Sequence, residues 1–424
     1  MLLQTATMLI DAAFVGRLGA AALSAVGLAM QIMLVLMAIS AAVSVGTTAL
    51  IARFVGANEP RNAEEAVRQA ILLAVAVSVL SGTLMFFLGP VLIEAMGGRG
   101  ESLHLGVTYL KVLLLGVTPF YLMFVLSGVF RGIGDVRTPL MIMAVVTVIS
   151  IVGDYLLIFG IGPFPKLGVM GAAIANATSR TVAAVMFFAY LPRSSLGGAM
   201  RGSWRPAWHW FRRILSIGTP VAAQGLLRTG ASMAFISILG MTAHATSAIA
   251  ALTIGIRTEA LAFMPGFAFS VAATSMVGQN LGAGQPRRAE QSAWAATWQG
   301  IWAMGAVGVL FIVFAHPIAS VFTSDPRVLP FAATYLQVNG ISEPFLALGM
   351  IMTGALQGAG ETRLPTAATI VTMWFIRLPL AYYLTISLGF GALGAWIAMS
   401  GSTILGGLAA AGIFKWSNWR NIQV

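Results

Sequence analysis

Cysteine is absent from this 424-residue sequence, and Asp, Glu, Lys and Arg together make up only 9% of it. Without cysteine there is no disulfide framework, no thiolate zinc site and no thiol nucleophile. The four histidines (His104, His209, His244, His316) are scattered without metal-ligand spacing. No Gly-x-x-x-x-Gly-Lys-Ser/Thr loop occurs, so ATP does not power the chain directly. With neither a nucleophile–base pair nor a metal constellation, an enzyme is not expected. Soluble proteins carry about 25% charged residues, so the scarcity of charge also excludes a soluble chain of two or three domains. What abounds is apolar: 58% of residues are hydrophobic and the mean hydropathy is +0.89. Most of the surface must face something other than water. The fold class is an all-α polytopic membrane protein.

A membrane helix needs about 20 mostly apolar residues. Apolar segments run at about 1–16, 22–52, 66–92, 104–131, 137–160 and 168–192. After a polar stretch, six more run at about 214–240, 244–279, 291–317, 328–356, 364–388 and 391–415. The sequence thus predicts twelve transmembrane helices: an N-terminal six-helix lobe over 1–192, an inter-lobe linker over 193–213 and a C-terminal six-helix lobe over 214–424. Of the 24 Lys and Arg, fifteen fall after the even-numbered spans or at the C-terminus, five on the opposite side, and four (Arg180, Arg228, Arg257, Arg377) within spans. By the positive-inside rule the richer side is cytoplasmic, which puts both termini inside. The net charge of +11 is therefore a topological signal, and no nucleic-acid partner is expected. A multi-pass plasma (bacterial inner) membrane location follows, with the lipid bilayer as the main surroundings.

The two halves repeat. Gly56-Ala57-Asn58-Glu59-Pro60-Arg61-Asn62-Ala63-Glu64 aligns with Gly282-Ala283-Gly284-Gln285-Pro286-Arg287-Arg288-Ala289-Glu290 at an offset of 226. Gly128-x-x-x-Gly132-x-Gly134-Asp135-x-Arg137-x-Pro139 aligns with Gly354-x-x-x-Gly358-x-Gly360-Glu361-x-Arg363-x-Pro365 at the same offset. A third block, Gly168-x-x-Gly171-Ala172-x-Ile174-Ala175, matches Gly391-x-x-Gly394-Ala395-x-Ile397-Ala398 at 223. Six spans per copy is an even number, so both copies enter the membrane from the same side and the repeat is parallel. The glycines themselves read as close helix contacts and helix stops.

Of the thirteen acids, four remain at membrane depth: Asp11, Asp154, Glu259 and Glu343. A carboxylate at a helix centre costs about 2.5–3.5 kcal/mol even on lenient scales, so each needs a proton, an ion or a partner. Asp11 and Asp154 belong to the first copy alone; roughly Ser232 and Leu380, respectively, stand at the matching positions of the second. Ser150, one turn before Asp154, is expected to hydrogen-bond it. Asn176 is expected in the same polar network. Gln31, Gln224 and Gln337 either line a cavity or bridge helices. For Glu259 and Glu343 the plain reading is ion pairing across helices, with Arg228 and Arg257 as the cations. Glu343 precedes Pro344, where a bend is expected.

Four stretches carry a family resemblance. Asp11-Ala12-Ala13-Phe14-Val15-Gly16-Arg17-Leu18-Gly19 resembles the end of helix 1 in multidrug and toxic compound extrusion (MATE) transporters. Val277-Gly278-Gln279-Asn280-Leu281-Gly282, Phe130-Arg131-Gly132-Ile133-Gly134-Asp135 and Gly153-Asp154-Tyr155-Leu156-Leu157-Ile158-Phe159-Gly160 are similar to that family too. Asp154 on the fifth span resembles the DinF-like branch. The resemblance implies two lobes that open alternately to either side, and export of organic cations or lipophilic drugs against inward H⁺ or Na⁺. It implies no cofactor beyond that ion, cationic or amphipathic small-molecule substrates, and a monomer. The family's coupling carboxylates match Asp11 and Asp154, where Na⁺ or H⁺ would bind. The polar partner on the sixth span, usually Thr, falls at Asn176. A NorM-like Glu on the seventh span would fall near Arg228, so the second-lobe Na⁺ site of that branch is not expected here.

The expected function is a secondary active antiporter. Its rivals are a lipid-linked oligosaccharide flippase of the same superfamily, which the intramembrane arginines favour, and a non-transporting scaffold or channel. One departure stands out: about 16 residues at 1.5 Å each span only about 24 Å of a ~30 Å core. Helix 1 is therefore expected to be truncated, or its start codon misassigned.

Overall fold

The computed structural model describes residues 14–422, and among these all regular structure is helical. The chain divides into two compact units, Met1–Thr219 and Pro220–Val424. The first holds α1 (Ala20–Gly56), α2 (Pro60–Ala95), α3 (Gly100–Leu115), α4 (Val117–Gly132), α5 (Arg137–Phe159) and α6 (Val169–Tyr190). Helix α7 (Trp208–Gly240) runs across the boundary between the units. The second unit continues with α8 (Ala245–Gly282), α9 (Pro286–Val313), α10 (Ala315–Phe322), α11 (Leu329–Gly340), α12 (Glu343–Gly358), α13 (Arg363–Ser387) and α14 (Ala392–Trp416).

Nine helices among the described residues are long and apolar enough to cross a membrane alone, and α3 with α4 makes a tenth, bent by 52°. The break lies at Gly116. Its counterpart at the repeat offset is Ser342, where α11 gives way to α12 immediately before Glu343 and Pro344. That pair fills the span expected at 328–356, with the helix interrupted at Ile341 and Ser342. The first expected span falls outside the described residues except for its end. In lipid, helices satisfy their own backbone, which is why nearly every residue between the loops is helical.

The repeat is matched bond for bond. Ser44 donates to the Phe124 carbonyl at 2.8 Å, and Ser270 to the Met350 carbonyl at 2.8 Å. Thr48 donates to the Gly128 carbonyl at 3.0 Å, and Thr274 to that of Gly354 at 2.8 Å. These bonds tie α1 to α4 and α8 to α12 where Gly128 and Gly354 allow close approach. A Cβ on Gly128 would stand 2.7 Å from both the Ser44 and Thr48 hydroxyls, and one on Gly354 would stand 2.5 Å from the Ser270 carbonyl oxygen. Lipid offers no hydrophobic drive for helix association, so close packing and such bonds must supply it. The turns match as well: Asn58 and Gly284 both take the left-handed conformation, at φ 57° and 69°, before a proline opens the next helix.

In one place the repeat slips. Pro139 and Pro365, and Val146 and Thr372, are buried pairs at 226; Asp154 and Ala381, and Ile158 and Thr385, are buried pairs at 227. Between them, Val371–Arg377 is π-helical, and a π turn accommodates one extra residue. The counterpart of Asp154 is therefore Ala381, one residue beyond the Leu380 expected from the constant offset.

The polar stretch expected as a linker folds onto the first unit. Gln69 of α2 donates to the Arg205 carbonyl at 2.7 Å and accepts from the Ala207 N–H at 3.0 Å. Trp210 donates to Glu65 at 3.1 Å. In the second unit the tail after α14 is held alike: Arg420 pairs with Glu290 at 2.8 Å, and Trp419 is buried against Phe414.

Asp135 closes the loop before α5. Its carboxylate accepts the Arg137 and Thr138 N–H groups at 2.9 and 3.0 Å and the Thr138 hydroxyl at 2.6 Å. Burial by itself would raise this carboxyl; the Thr138 and Arg137 hydrogen bonds and the Arg137 charge outweigh it and hold it below its ordinary value.

Two outcomes follow for stability in detergent. Gly354→Val and Gly128→Val each place methyls inside neighbouring atoms and are expected to cost about 2–3 kcal/mol, read as lowered thermal unfolding; wild-type stability in both would show that the close contact is not needed. Asp135→Ala is expected to cost about 1 kcal/mol at neutral pH. Because the folded carboxyl is lowered, its contribution is present above the ordinary carboxylate value and fades as pH falls through the lowered one. The gap between wild type and Asp135→Ala should therefore narrow in acid.

Candidate functional site

In the first unit the site forms around Asp154, whose side chain has 0% exposure in the middle of an apolar helix. Its neighbour Gly153 lets α6 come close: a Cβ there would stand 3.1 Å from that of Ala175. Tyr155 and Phe159 form an aromatic cluster with Phe14, at centroid distances of 6.0, 5.7 and 5.8 Å. The end of the first span therefore lies against α5, one residue from Asp154. Asp11 itself lies outside the described residues.

The other expected members are not gathered into one network. Ser150 is buried, but its hydroxyl has no hydrogen-bond partner, so the expected bond to Asp154 is not made. Asn176 donates instead to the Ala172 carbonyl of its own helix at 3.2 Å. Gln31 sits on an exposed face of α1. Arg180, one turn beyond Asn176, lies over the Phe120 ring at 4.6 Å.

The second unit has a polar interior of its own. Tyr335, fully buried on α11, donates to the Glu259 carboxylate of α8 at 2.9 Å and meets Trp396 edge to face at 4.8 Å. Arg377 donates to Ser402 at 2.7 Å and Thr403 at 3.0 Å, within electrostatic reach of Glu259 and Tyr335. Glu343 is 1% exposed. Among the described residues neither Glu259 nor Glu343 has a Lys or Arg nitrogen within 4.0 Å. The expected ion pairs Arg228–Glu259 and Arg257–Glu343 are thus replaced by a tyrosine hydroxyl for Glu259 and no cation for Glu343. The reason is rotational: Arg228 and Arg257 lie on exposed faces of α7 and α8. Gln224, by contrast, does bridge helices, donating to Thr369 at 2.6 Å.

Tyr335 and the Arg377–Ser402–Thr403 cluster were not singled out by the sequence reading. A signal for Tyr335 existed, since Tyr109 stands at the matching position of the first copy and is also fully buried. Nothing in the periodicity points to the Arg377 partners. Chemically, the first unit offers a buried carboxylate on an apolar helix, which suits a group that exchanges a small cation.

Comparison with known proteins agrees with this architecture. The family model described as MatE matches residues 1–156 and 220–383. A probable multidrug resistance protein NorM from Thermotoga maritima is 33% identical over 398 residues, covering 92% of this chain and 83% of that protein. An FAD transporter from Shewanella oneidensis is 29% identical, covering 88% of this chain and 82% of its own. A crystal structure of a MATE protein in the bent conformation superposes with a TM-score of 0.87 at 25% identity, covering 98% of this chain and 90% of that one. A MOP superfamily transporter from Pyrococcus furiosus superposes with a TM-score of 0.85 at 25% identity, covering 98% and 91%. The fold is the twelve-helix, two-lobe architecture of these transporters. The chain is a membrane transporter, not an enzyme, and it belongs to the multidrug and toxic compound extrusion (MATE) family.

Proposed function

We propose that this protein is a secondary active antiporter that exports organic cations or lipophilic drugs in exchange for inward H⁺ or Na⁺, with Asp11 and Asp154 as the coupling carboxylates. The observation that carries this reading is Asp154: a fully buried carboxylate on a helix against which the end of the first span packs, through Phe14 on Tyr155 and Phe159. By sequence, Asp11 stands three residues before Phe14. A buried carboxylate at membrane depth is costly while charged, and H⁺ and Na⁺ are both small enough to neutralise it. Neutralising the pair from outside would lower affinity for a cationic substrate, which leaves; release of the ion inside restores it. The fifteen-to-five distribution of Lys and Arg supports both termini being cytoplasmic in a bacterial inner membrane, with lobes at about 1–192 and 214–424.

A second reading rests on Arg228 and Arg257, which are exposed on their helices with no carboxylate within 4.0 Å among the described residues. Arginines at membrane depth face a water-filled path and not lipid, and there they favour a substrate bearing a phosphate. A lipid-linked oligosaccharide is one such substrate, and the relative from Shewanella oneidensis is named for the phosphate-bearing FAD.

Everted membrane vesicles test the first reading. Ethidium accumulation is expected to follow an imposed ΔpH or ΔNa⁺, whichever is the coupling ion, and to collapse with an uncoupler if that ion is H⁺. Asp154→Asn and Asp11→Asn are each expected to reduce it at least about tenfold; wild-type accumulation in both variants would refute the mechanism. Binding of an undecaprenyl-linked donor in preference to ethidium, weakened by Arg228→Ala, would favour the second reading.

A further inference from the structure

Up to the π turn in α13 the two halves correspond at a constant offset of 226, so there the first half shows what the fold requires at each place in the second. Gly82 of α2 packs against Val117, where a Cβ would stand 2.8 Å from a Val117 methyl. At the matching position of the second half, a Cβ on Gly308 of α9 would meet the Gly340 carbonyl oxygen first and stand 3.1 Å from the Glu343 Cβ. Glu259 likewise takes the place that Met33, which is buried, holds in the first half. In the first half both niches are filled by apolar side chains. Neither carboxylate is therefore needed to build the helix packing.

Glu343 is also unanswered where it lies. Its side chain is enclosed, and Oε2 has no hydrogen-bond partner. The titratable groups that act on it are Glu259 of α8, of like sign, and Tyr335 of α11, whose hydroxyl is committed to Glu259. The remaining helices packed on α12 are α9 and α14. Their charges (Arg287, Arg288 and Glu290; Lys415) sit at the far ends, and Arg257 of α8 lies on an exposed face. An ionised Glu343 would be a buried anion beside an anion, an arrangement that a low-dielectric interior strongly disfavours. Glu259 is better placed to stay ionised, with the Tyr335 hydroxyl and the Arg377 charge to stabilise it.

We propose that Glu343 is a proton-binding site of the second half, separate from Asp154, with Glu259 as its ionised neighbour. The geometry needs nothing else at that niche: a proton removes the buried charge, and its loss leaves two like charges that drive it back on. The inference rests on the transport reading above for its use in the cycle. It differs from that reading in its residues and in the half of the protein concerned.

Infrared difference spectra of the purified full-length protein, acidic minus mildly alkaline buffer, test it directly. The protonated-carboxyl stretch is expected to contain a component that is lost in both Glu343→Gln and Glu343→Val. The valine variant should keep wild-type helix content and thermal unfolding, because the first half carries Val117 in the same niche. A wild-type difference spectrum from both folded variants would overturn the proposal. Asp154→Asn is measured alongside and should remove a different component. If it removes none while the Glu343 variants do, coupling through Asp154 fails and the Glu343 site stands; the reverse outcome sinks this site alone.

Discussion

Inside a bilayer every polar atom must be answered by the protein itself, and the rest of this structure depends on that constraint. Backbone groups are answered by turning nearly every residue between the loops into helix. Many serine and threonine side chains are answered by carbonyls, and the Ser44, Thr48, Ser270 and Thr274 bonds use that need to fasten one helix to the next. Glycine at Gly128 and Gly354 makes the bonds reachable, because a hydroxyl on a short side chain spans only a narrow gap. Where no partner is supplied, as around Glu343, what is left is a carboxylate that only a proton or a small cation can neutralise.

The duplication turns the protein into its own control. Most of what the two halves share is scaffold: the helix break at Gly116 and Ser342, the left-handed turn at Asn58 and Gly284, the buried tyrosines Tyr109 and Tyr335. What they do not share is the acids within the spans. The first half has Asp154 where the second has Ala381, and the second has Glu259 and Glu343 where the first has Met33 and Val117. A carboxylate present in one copy and replaced by a hydrocarbon in the other is not there for packing. Each half thus carries its own acidic chemistry, on different helices, within one common frame.

The fold was largely legible in the sequence because span count, repeat and bends are linear properties. Long apolar runs, Lys and Arg between them, and motifs at one offset survive without knowledge of tertiary contact. The site was only partly legible. Asp154 was found because a lone acid in an apolar run is conspicuous. Its supposed bond to Ser150 and the expected arginine pairs were not formed. Both had been inferred from helical spacing, and spacing places side chains on a face without saying what lies opposite.

From the sequence alone, this protein was determined to be a twelve-span, duplicated membrane protein with four carboxylates at depth, since hydropathy and charge are carried by each residue wherever it sits. Only the tertiary structure decided that Tyr335 answers Glu259, that the linker belongs to the first unit, and that Ala381 takes the place of Asp154 in the second copy. Those outcomes turn on the rotation of each helix about its axis and on one extra residue in a π turn, and both are set by packing between helices far apart in the chain.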